Sequence, residues 1–439
     1  MLKEEYMKTA TKAIASLASL AMLTSLAACG NTPGSASSNG NATAWGISDA
    51  NFAPAKESFE LWNKNHSDQQ ISTEYFANDA LKEKMRTAIG SGNAPTFVYS
   101  WGGASLKDYA DSGAIVDLTD ELADTVNDRV FESVAQGGYI GDKLYATPLL
   151  GAQPVVLYFN KSVLNDAGVS EAPQTWTELL DAVAKIKASG KTPIALAGGS
   201  KWPYLMWAAY LVDRIGGPEV FQGVMDGKAD AWSDPAVSQA MEMIQDLVKA
   251  GAFGDIYTSL TSDDRKDTSM LVNGTVGMEL MGSWVYPDLQ SLSTDFAAND
   301  LGFAPFPAVE GGKGDINDLT GNLANYWSVS AKANAKQRET AIAYLKDQTY
   351  TDAMVDKMLD IGAVPPVKDI EQKVKDADTK VGFYTWVYEA MSSAPAFQLS
   401  WDQAIPAAQA EAVLNNLEQV FLLTQTPDQF VDAMNATLK

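Results

Sequence analysis

Three tryptophans follow predicted strands at turns rich in glycine and serine, and they are the residues best suited to ligand recognition. Trp101, Trp202 and Trp284 each stand just beyond a short apolar run, and open α/β sheets bind ligands beyond the carboxyl ends of their strands. An aromatic ring packs against the C–H face of a pyranose, while carboxylates and amides bind its hydroxyls. These positions therefore predict an aromatic-lined site for a sugar-like ligand. Trp176 and Trp207 lie among aliphatic residues and predict core packing instead.

Enzymatic chemistry is the main alternative to binding. His66 and Cys29 are the only residues of their types, which excludes Cys/His zinc sites, His-based triads and cysteine nucleophiles in the folded body. A glycoside hydrolase or lyase needs only two carboxylates about 5–10 Å apart. The chain has 55 acidic residues, so chance pairs are common and the sequence leaves this alternative open. We expect no metal and no cofactor.

Length and charge set the remaining bounds. A chain of 439 residues exceeds what one core comfortably supports and suggests two or three domains. Its net charge of −23 repels phosphate backbones and anionic headgroups, so nucleic acid is disfavoured as a partner.

The N-terminus is typical of an exported, anchored protein. Residues 1–28 predict a signal peptide, because a short apolar run of small residues follows two lysines. Leu26-Ala27-Ala28-Cys29 resembles the bacterial lipobox, in which Cys29 becomes the lipid-bearing first residue. An ordinary signal peptide with an incidental cysteine is the alternative. Residues 29–42, rich in Gly, Ser, Asn and Thr, predict a flexible tether.

The elements that must position the tryptophans alternate between strands and helices, which favours parallel βαβ units. Val155–Phe159 has no polar interruption and predicts a strand buried on both faces of a mostly parallel sheet. Pro148–Pro154 before it predicts a crossing from one lobe to another. We place a second crossing at Gly302–Pro307 and a third near Tyr350.

Three blocks carry a family resemblance. They resemble family 1 extracellular solute-binding proteins, which serve sugar ABC importers and include the maltodextrin binders. The blocks are Val156–Lys161 with Gly168-Val169 and Ala172–Leu179, Asn273–Met278 with Gly282–Trp284, and Gly362–Val367. The resemblance implies a two-lobed α/β fold of the periplasmic-binding-protein type, class II, with parallel or mixed sheets flanked by helices and a hinge between lobes. It places the first lobe at 43–152 and 304–348, and the second at 153–303 and 349–439.

The resemblance also implies which residues bind the sugar. Trp101 and Trp284 fall at the family's stacking positions, and Trp401-Asp402 resembles a late cleft-lining segment. Further positions expected at the cleft or its edge are Trp45, Ser48, Asp49, Asn78, Asp79, Gly102, Trp202, Ser283 and Asn322. Gly102-Gly103 stands where a maltodextrin binder has charged residues, which disfavours that ligand. Arginine is scarce near these loops, which favours a neutral sugar.

The function implied is capture of a neutral mono- or oligosaccharide by a lipid-anchored substrate-binding protein, without catalysis. Its partners would be the permease subunits of an ABC importer and, through them, a cytoplasmic ATPase. We expect a monomer on the extracytoplasmic face of the cell membrane, at the surface of a Gram-positive cell. A secreted glycoside hydrolase or lyase, and a surface adhesin or structural lipoprotein, are the competing hypotheses.

Overall fold

The computed structural model describes residues 40–378 and 382–438. The predicted signal peptide, Cys29 and most of the tether lie outside the described residues. Within them, no helix combines the length and apolar character needed to cross a membrane.

The strands form two main sheets and one small hairpin. In chain order they are β1 (Ala42–Ile47), β2 (Ile71–Phe76), β3 (Phe97–Ser100), β4 (Tyr139–Ile140), β5 (Lys143–Leu144), β6 (Thr147–Pro148), β7 (Gln153–Asn160), β8 (Thr192–Ala195), β9 (Val276–Gly282), β10 (Leu301–Ala304), β11 (Leu319–Asn322), β12 (Tyr326–Val329) and β13 (Phe397–Leu399).

Helices cover both sheets. They are α1 (Ala53–Asn65), α2 (Asn78–Ser91), α3 (Gly103–Asp111), α4 (Thr119–Arg129), α5 (Glu132–Gln136), α6 (Lys161–Asp166), α7 (Trp176–Ala188), α8 (Pro203–Gly216), α9 (Glu219–Met225), α10 (Pro235–Lys249), α11 (Lys266–Val272), α12 (Tyr286–Leu292), α13 (Thr294–Asn299), α14 (Ala335–Gln348), α15 (Asp352–Ile361), α16 (Glu371–Ala377), α17 (Phe383–Ser393), α18 (Trp401–Ala404), α19 (Ala407–Phe421) and α20 (Pro427–Asn435).

The first sheet has the order β2-β1-β3-β12-β6. Its first three strands run parallel, as βαβ units require, whereas β12 runs antiparallel to both β3 and β6. Every residue of β3 and β12 is buried, which fits a central position with helices on both faces. Trp327 of β12 packs edge-on against Phe59 of α1 and Phe97 of β3.

The second sheet has the order β13-β11-β7-β9-β8, and β10 also pairs with β7. Seven of the eight residues of β7 are buried, so the predicted two-sided burial is confirmed. All partners of β7 are antiparallel, however, and only β8–β9 and β11–β13 are parallel. The apolar run therefore indicates that helices cover both faces of the strand. It does not indicate that the strand pairs in parallel.

Between β6 and β7 the chain passes from the first sheet to the second at Leu149–Ala152, inside the predicted crossing. Three hydrogen bonds tie this segment to later parts of the chain. The Leu149 amide donates to the Asn325 carbonyl at 2.8 Å, and the Ala152 amide to the Val364 carbonyl at 2.8 Å. The Tyr350 hydroxyl donates to the Leu150 carbonyl at 2.6 Å. Segments far apart in sequence therefore lie side by side where the lobes join.

The predicted crossing at Gly302–Pro307 is corrected by the strand pairing. β10 runs alongside β7, with Gly302 opposite Phe159, and β11 also joins the second sheet. Phe306 is fully buried there and stacks on Tyr210 with ring centroids 4.8 Å apart. The chain therefore returns to the first sheet only at residues 323–325, just before β12. Residues 304–322 were expected in the first lobe, but Ala304 of β10 and the whole of β11 belong to the second sheet.

Candidate functional site

A cleft lies between the two sheets, next to the segments that join them. Residues of the first lobe, the second lobe and the crossing segment all line it, among them Asp49, Trp101, Trp202, Trp284 and Leu150. Its volume of about 210 Å³ corresponds to about seven water molecules at about 30 Å³ each. The cleft is therefore large enough for an organic ligand and is built from both halves of the molecule.

Three tryptophans face this cleft from opposite sides. Trp202 and Trp284 lie on the second lobe with ring centroids 6.0 Å apart and planes tilted by 57°, and Trp101 lies on the first lobe against Tyr99. The Lys82 ammonium stands 5.4 Å from the Trp101 ring and 5.8 Å from the Trp202 ring, within cation–π range of both. Two lobes therefore present aromatic faces to one shared space.

Glycine at position 282 fixes the direction of one of these rings. A Cβ atom there would overlap the Trp284 indole, so the ring folds back over the end of β9 only because the side chain is absent. The backbone of β9 and the short turn Ser283–Val285 thus set the position of the ring.

Charged groups surround the aromatic faces, and the cations are paired. Arg265 forms an ion pair with Asp288 and lies 3.9 Å from Asp49, while Lys82 lies 3.4 Å from Asp402. Burial raises the pKa of Asp49 to about 6, although the Arg265 charge acts against this shift. The lining holds four carboxylates and two cations, namely Asp49, Asp263, Asp288 and Asp402 with Lys82 and Arg265, so its formal charge is negative.

Several contacts join the two lobes across the cleft. Asp79 at the start of α2 accepts hydrogen bonds from the Ser200 hydroxyl at 2.6 Å and from the Trp202 ring nitrogen at 3.1 Å. Its backbone amide donates to Asp263 at 3.1 Å, and burial raises the pKa of that carboxyl. The lobe faces are therefore complementary in hydrogen-bonding groups around the ligand space.

The start of α3 touches the second lobe at Gly103. This residue has φ of +61°, and a Cβ atom would overlap the Gln403 carbonyl oxygen. Glycine is thus required twice, for its conformation and for the close approach. Gly103, one of the small residues predicted to disfavour a maltodextrin ligand, therefore also has a structural role.

Five of the predicted site residues line the cleft: Trp101, Trp202, Trp284, Asn322 and Asp402. The cleft-edge residues Ser48, Asp49 and Asn78 line it as well. Asp79 acts one step away, through its hydrogen bonds to Trp202 and Ser200.

The structure places Trp401 in the core of the second lobe, which corrects its predicted cleft position. Its side chain is 0% exposed and stacks on Phe221, with centroids 4.8 Å apart. Its ring nitrogen donates to the Gln398 side chain at 2.7 Å. The neighbouring Asp402 faces the cleft instead.

Three further predicted residues lie outside the cleft lining. Trp45 is buried in the first sheet, where it packs edge-on against Phe76. The Ser283 hydroxyl donates to the Ala152 carbonyl at 2.8 Å, so it links β9 to the crossing segment. Gly102 has φ of +84° and approaches the Tyr326 ring. These residues support the site without reaching the ligand space.

Sequence reasoning missed several lining residues. Lys82, Gln153, Arg265, Asp288, Asn325 and Gln403 line the cleft. They come from helix interiors, helix starts and the crossing segments. Strand-end position reveals only residues directly after a strand, so it finds none of these. Their places in the cleft follow from tertiary contacts, so the local sequence carried no signal for them.

A pair of acids is buried beneath the cleft. Asp267 of α11 and Glu279 of β9 are each about 1% exposed. Burial raises the pKa of Asp267 to about 6 and that of Glu279 well above its usual value, with the Asp267 charge adding to the latter. The hydroxyl of Thr268, which lines the cleft, donates to Glu279 at 3.1 Å. Within 40–378 and 382–438, no three His, Cys, Asp or Glu side chains cluster as metal ligands would.

Comparison with known families decides the class of protein. Residues 46–347 match the family described as bacterial extracellular solute-binding protein. The chain belongs to this family. This bacterial extracellular solute-binding protein is 26% identical over 306 residues to the "Probable sugar-binding periplasmic protein" of Mesorhizobium japonicum, covering 69% of this chain and 70% of that one. It is also 26% identical over 353 residues to the diacetylchitobiose binding protein DasA of Streptomyces coelicolor, covering 76% and 77%.

Solved structures confirm the expected two-lobed α/β fold of this solute-binding protein. One comes from work on xylan utilization by Caldanaerobius polysaccharolyticus, with a TM-score of 0.82 and 25% identity, covering 91% of this chain and all of that one. A chitin oligosaccharide binding protein gives a TM-score of 0.80 at 24% identity, covering 91% and 98%, and shows the shared fold alone.

Proposed function

We propose that this solute-binding protein captures a neutral sugar, most suitably a short oligosaccharide, for an ABC importer. One observation carries the proposal: Trp101 from the first lobe and Trp202 and Trp284 from the second line one cleft. Several aromatic platforms can hold several rings, and carboxylates and carboxamides around them can bind hydroxyls. The sugar-binding names of its relatives support this choice over other solutes.

Capture would proceed by closure of the lobes about the segments that join them. The lobes each contain a sheet, and the proposed hinge consists of 149–152, 323–325 and the region of Tyr350. Domain closure around ligands commonly uses a few such residues between rigid bodies. The Lys82–Asp402 pair and the hydrogen bonds of Asp79 would form as the lobes close, because each joins the two lobes.

Delivery and anchoring complete the proposal. The permease subunits of an ABC importer would take the sugar from the closed protein, with a cytoplasmic ATPase acting through them. Cys29 would carry the lipid, and residues 29–42 would tether a monomeric body on the extracytoplasmic face of the membrane. The family consists of binding proteins, so we propose that the sugar leaves chemically unchanged.

Calorimetry of residues 29–439 with Cys29→Ser tests the proposal. The panel contains xylobiose, cellobiose, galactose, maltose and N,N′-diacetylchitobiose. We expect at least one sugar to bind with a single site, and small-angle scattering to show compaction on binding. Binding of none of these sugars would refute the choice of ligand class.

The same samples separate binding from turnover. Chromatography after prolonged incubation should return each sugar intact. Cleavage that one carboxylate substitution abolishes would favour the hydrolase or lyase, and sugar binding without compaction would favour an adhesin.

A further inference from the structure

Three buried carboxamide oxygens, each on a residue that lines the cleft, have no hydrogen-bond partner among the residues that the structure describes. They are Oδ1 of Asn322, Oδ1 of Asn325 and Oε1 of Gln403. The three residues are 8%, 3% and 6% exposed, and all line the cleft. A buried acceptor without a donor is unfavourable, so these oxygens are suited to donors that a ligand supplies.

Asn325 is the most firmly oriented of the three. Its side-chain nitrogen donates to the Tyr99 hydroxyl, and Tyr99 is itself fully buried in β3. Its backbone carbonyl accepts from Leu149 at 2.8 Å. Main chain and amide nitrogen are therefore both held by the first lobe and the crossing segment, and only the amide oxygen is left without a partner.

Asn322 and Gln403 are fixed by the second lobe. Asn322 ends β11 in register with Gln153 of β7, so the strand ladder sets its position. The backbone amide of Gln403 donates to the Ser400 carbonyl at 2.9 Å, which holds the residue in the short helix α18. The three side chains that carry the acceptor oxygens are thus attached to backbone that hydrogen bonds hold in place, on both sides of the joining segments.

We infer that these three oxygens form an acceptor subsite that reads unsubstituted hydroxyl groups of the ligand, with Asn325 as its main specificity-determining residue. This inference rests on the proposed function and narrows the ligand to a sugar with free hydroxyls at this end of the cleft. A carboxylate or phosphate has no hydrogen to donate to these three oxygens. The nearby cations are already paired, Arg265 with Asp288 and Lys82 with Asp402, which disfavours uronates and sugar phosphates.

A site built to hydrogen-bond a hydroxyl rejects analogues that lack it, because its own buried groups stay unpaired. Replacing one ligand hydroxyl that donates to these oxygens should therefore weaken binding by about tenfold to a hundredfold. The loss of affinity caused by removing one ligand hydroxyl should shrink when the protein oxygen that accepts from it is removed as well. A purely structural effect of the protein substitution would leave that loss unchanged.

The experiment is a double-mutant cycle between protein and ligand. The tightest sugar of the panel above and its monodeoxyfluoro derivatives are titrated into the wild type and Asn325→Ala. We expect one derivative to bind the wild type about tenfold to a hundredfold more weakly, and this discrimination to fall below about threefold in the variant. Equal discrimination in both proteins would overturn the inference.

Matched variants guard against a folding effect. Gln398→Ala removes another buried carboxamide of the second lobe, one that contacts Trp401 and lies outside the cleft lining, and should leave affinity within about twofold. Tyr99→Phe keeps the buried ring but frees the Asn325 amide, and should reduce the discrimination partially. Should Asn325→Ala fail to fold, Asn322→Ala and Tyr99→Phe carry the same cycle. Unchanged discrimination in both would also overturn the inference, whereas a wild type that binds no sugar refutes the proposed function itself.

Discussion

Trp284 and Trp401 each stand two residues beyond a strand, yet one faces the cleft and the other the core. Trp284 follows β9, and Gly282 leaves room for its ring to fold over the strand end. Trp401 follows β13 and opens α18, which turns its ring onto Phe221 and Trp232.

The neighbouring side chains explain the difference. Around Trp401, the cleft-lining positions belong to Ser400, Asp402 and Gln403, so the polar residues of the segment reach the ligand space. A strand end therefore predicts which loop lines a cleft in such folds. The size of adjacent residues and the element that follows decide which side chain does so.

The largest effect should come from the core tryptophan. Trp401→Ala should lower the free energy of unfolding by about 3–5 kcal/mol, because it removes a fully buried ring from an aromatic cluster. Chemical denaturation measures this loss. Sugar affinity of the protein that remains folded should change little, and a large loss of affinity without loss of stability would reverse the assignment.

The cleft tryptophan should behave in the opposite way. Trp284→Ala should weaken binding of the tightest sugar by about 2–3 kcal/mol, since the ring's contact area and stacking are lost. Calorimetry measures the affinity and thermal unfolding provides the control. Affinity within twofold of the wild type would remove Trp284 from the binding surface.

A buried carboxylate of the core provides a test that depends on pH. The raised pKa of buried Glu279 means that the folded state keeps a proton that the unfolded state releases above its ordinary pKa of about 4.5. The free energy of unfolding therefore falls as the pH rises from that value. Glu279→Gln cannot ionise, so it should be more stable than the wild type at pH 8 and nearly equal to it at pH 4. Denaturation at both pH values measures this, and a variant less stable at pH 8 would contradict it.

Two lysines of α2 provide the finest test. Lys82 contacts the cleft tryptophans and Asp402, whereas Lys84 lies 4.5 Å from the ring of core Trp45. Lys82→Met should weaken sugar binding by about 0.2–1 kcal/mol through loss of the interlobe pair, and the difference should shrink in high salt. Lys84→Met is the matched control. Equal effects from both substitutions would show that the ion pair does not contribute to closure.

Local patterns predicted most of the fold. The uninterrupted apolar run in β7 is buried as predicted. Composition could not distinguish a crossing from an added strand at Gly302–Pro307, because aromatics and prolines suit both. The pairing of β10 with β7 identifies an added strand, and these two strands are distant in sequence.

The candidate site was predicted only in part, for a related reason. Strand-end residues such as Trp101 and Trp284 could be found by position. Arg265 and Asn325 could not, because their place in the cleft follows from tertiary contacts: an ion pair with Asp288 and a hydrogen bond to Tyr99. Nothing in the local sequence distinguishes them from other polar residues.

The interleaving of the lobes has a consequence for the time course of folding. Strand β3 pairs with β12, and Ser100 lies opposite Tyr326, which is synthesised much later. Strand β11 pairs with β13, which is later still. Pairing over such separations is slow, because the entropy of closing a long loop is lost before the stabilising contacts form. Neither sheet can be completed from the first half of the chain, and a polypeptide that stops before Tyr326 leaves the edge of β3 open to other strands. The first sheet therefore cannot be completed before β12 has been synthesised, and the second cannot be completed before β13 has been.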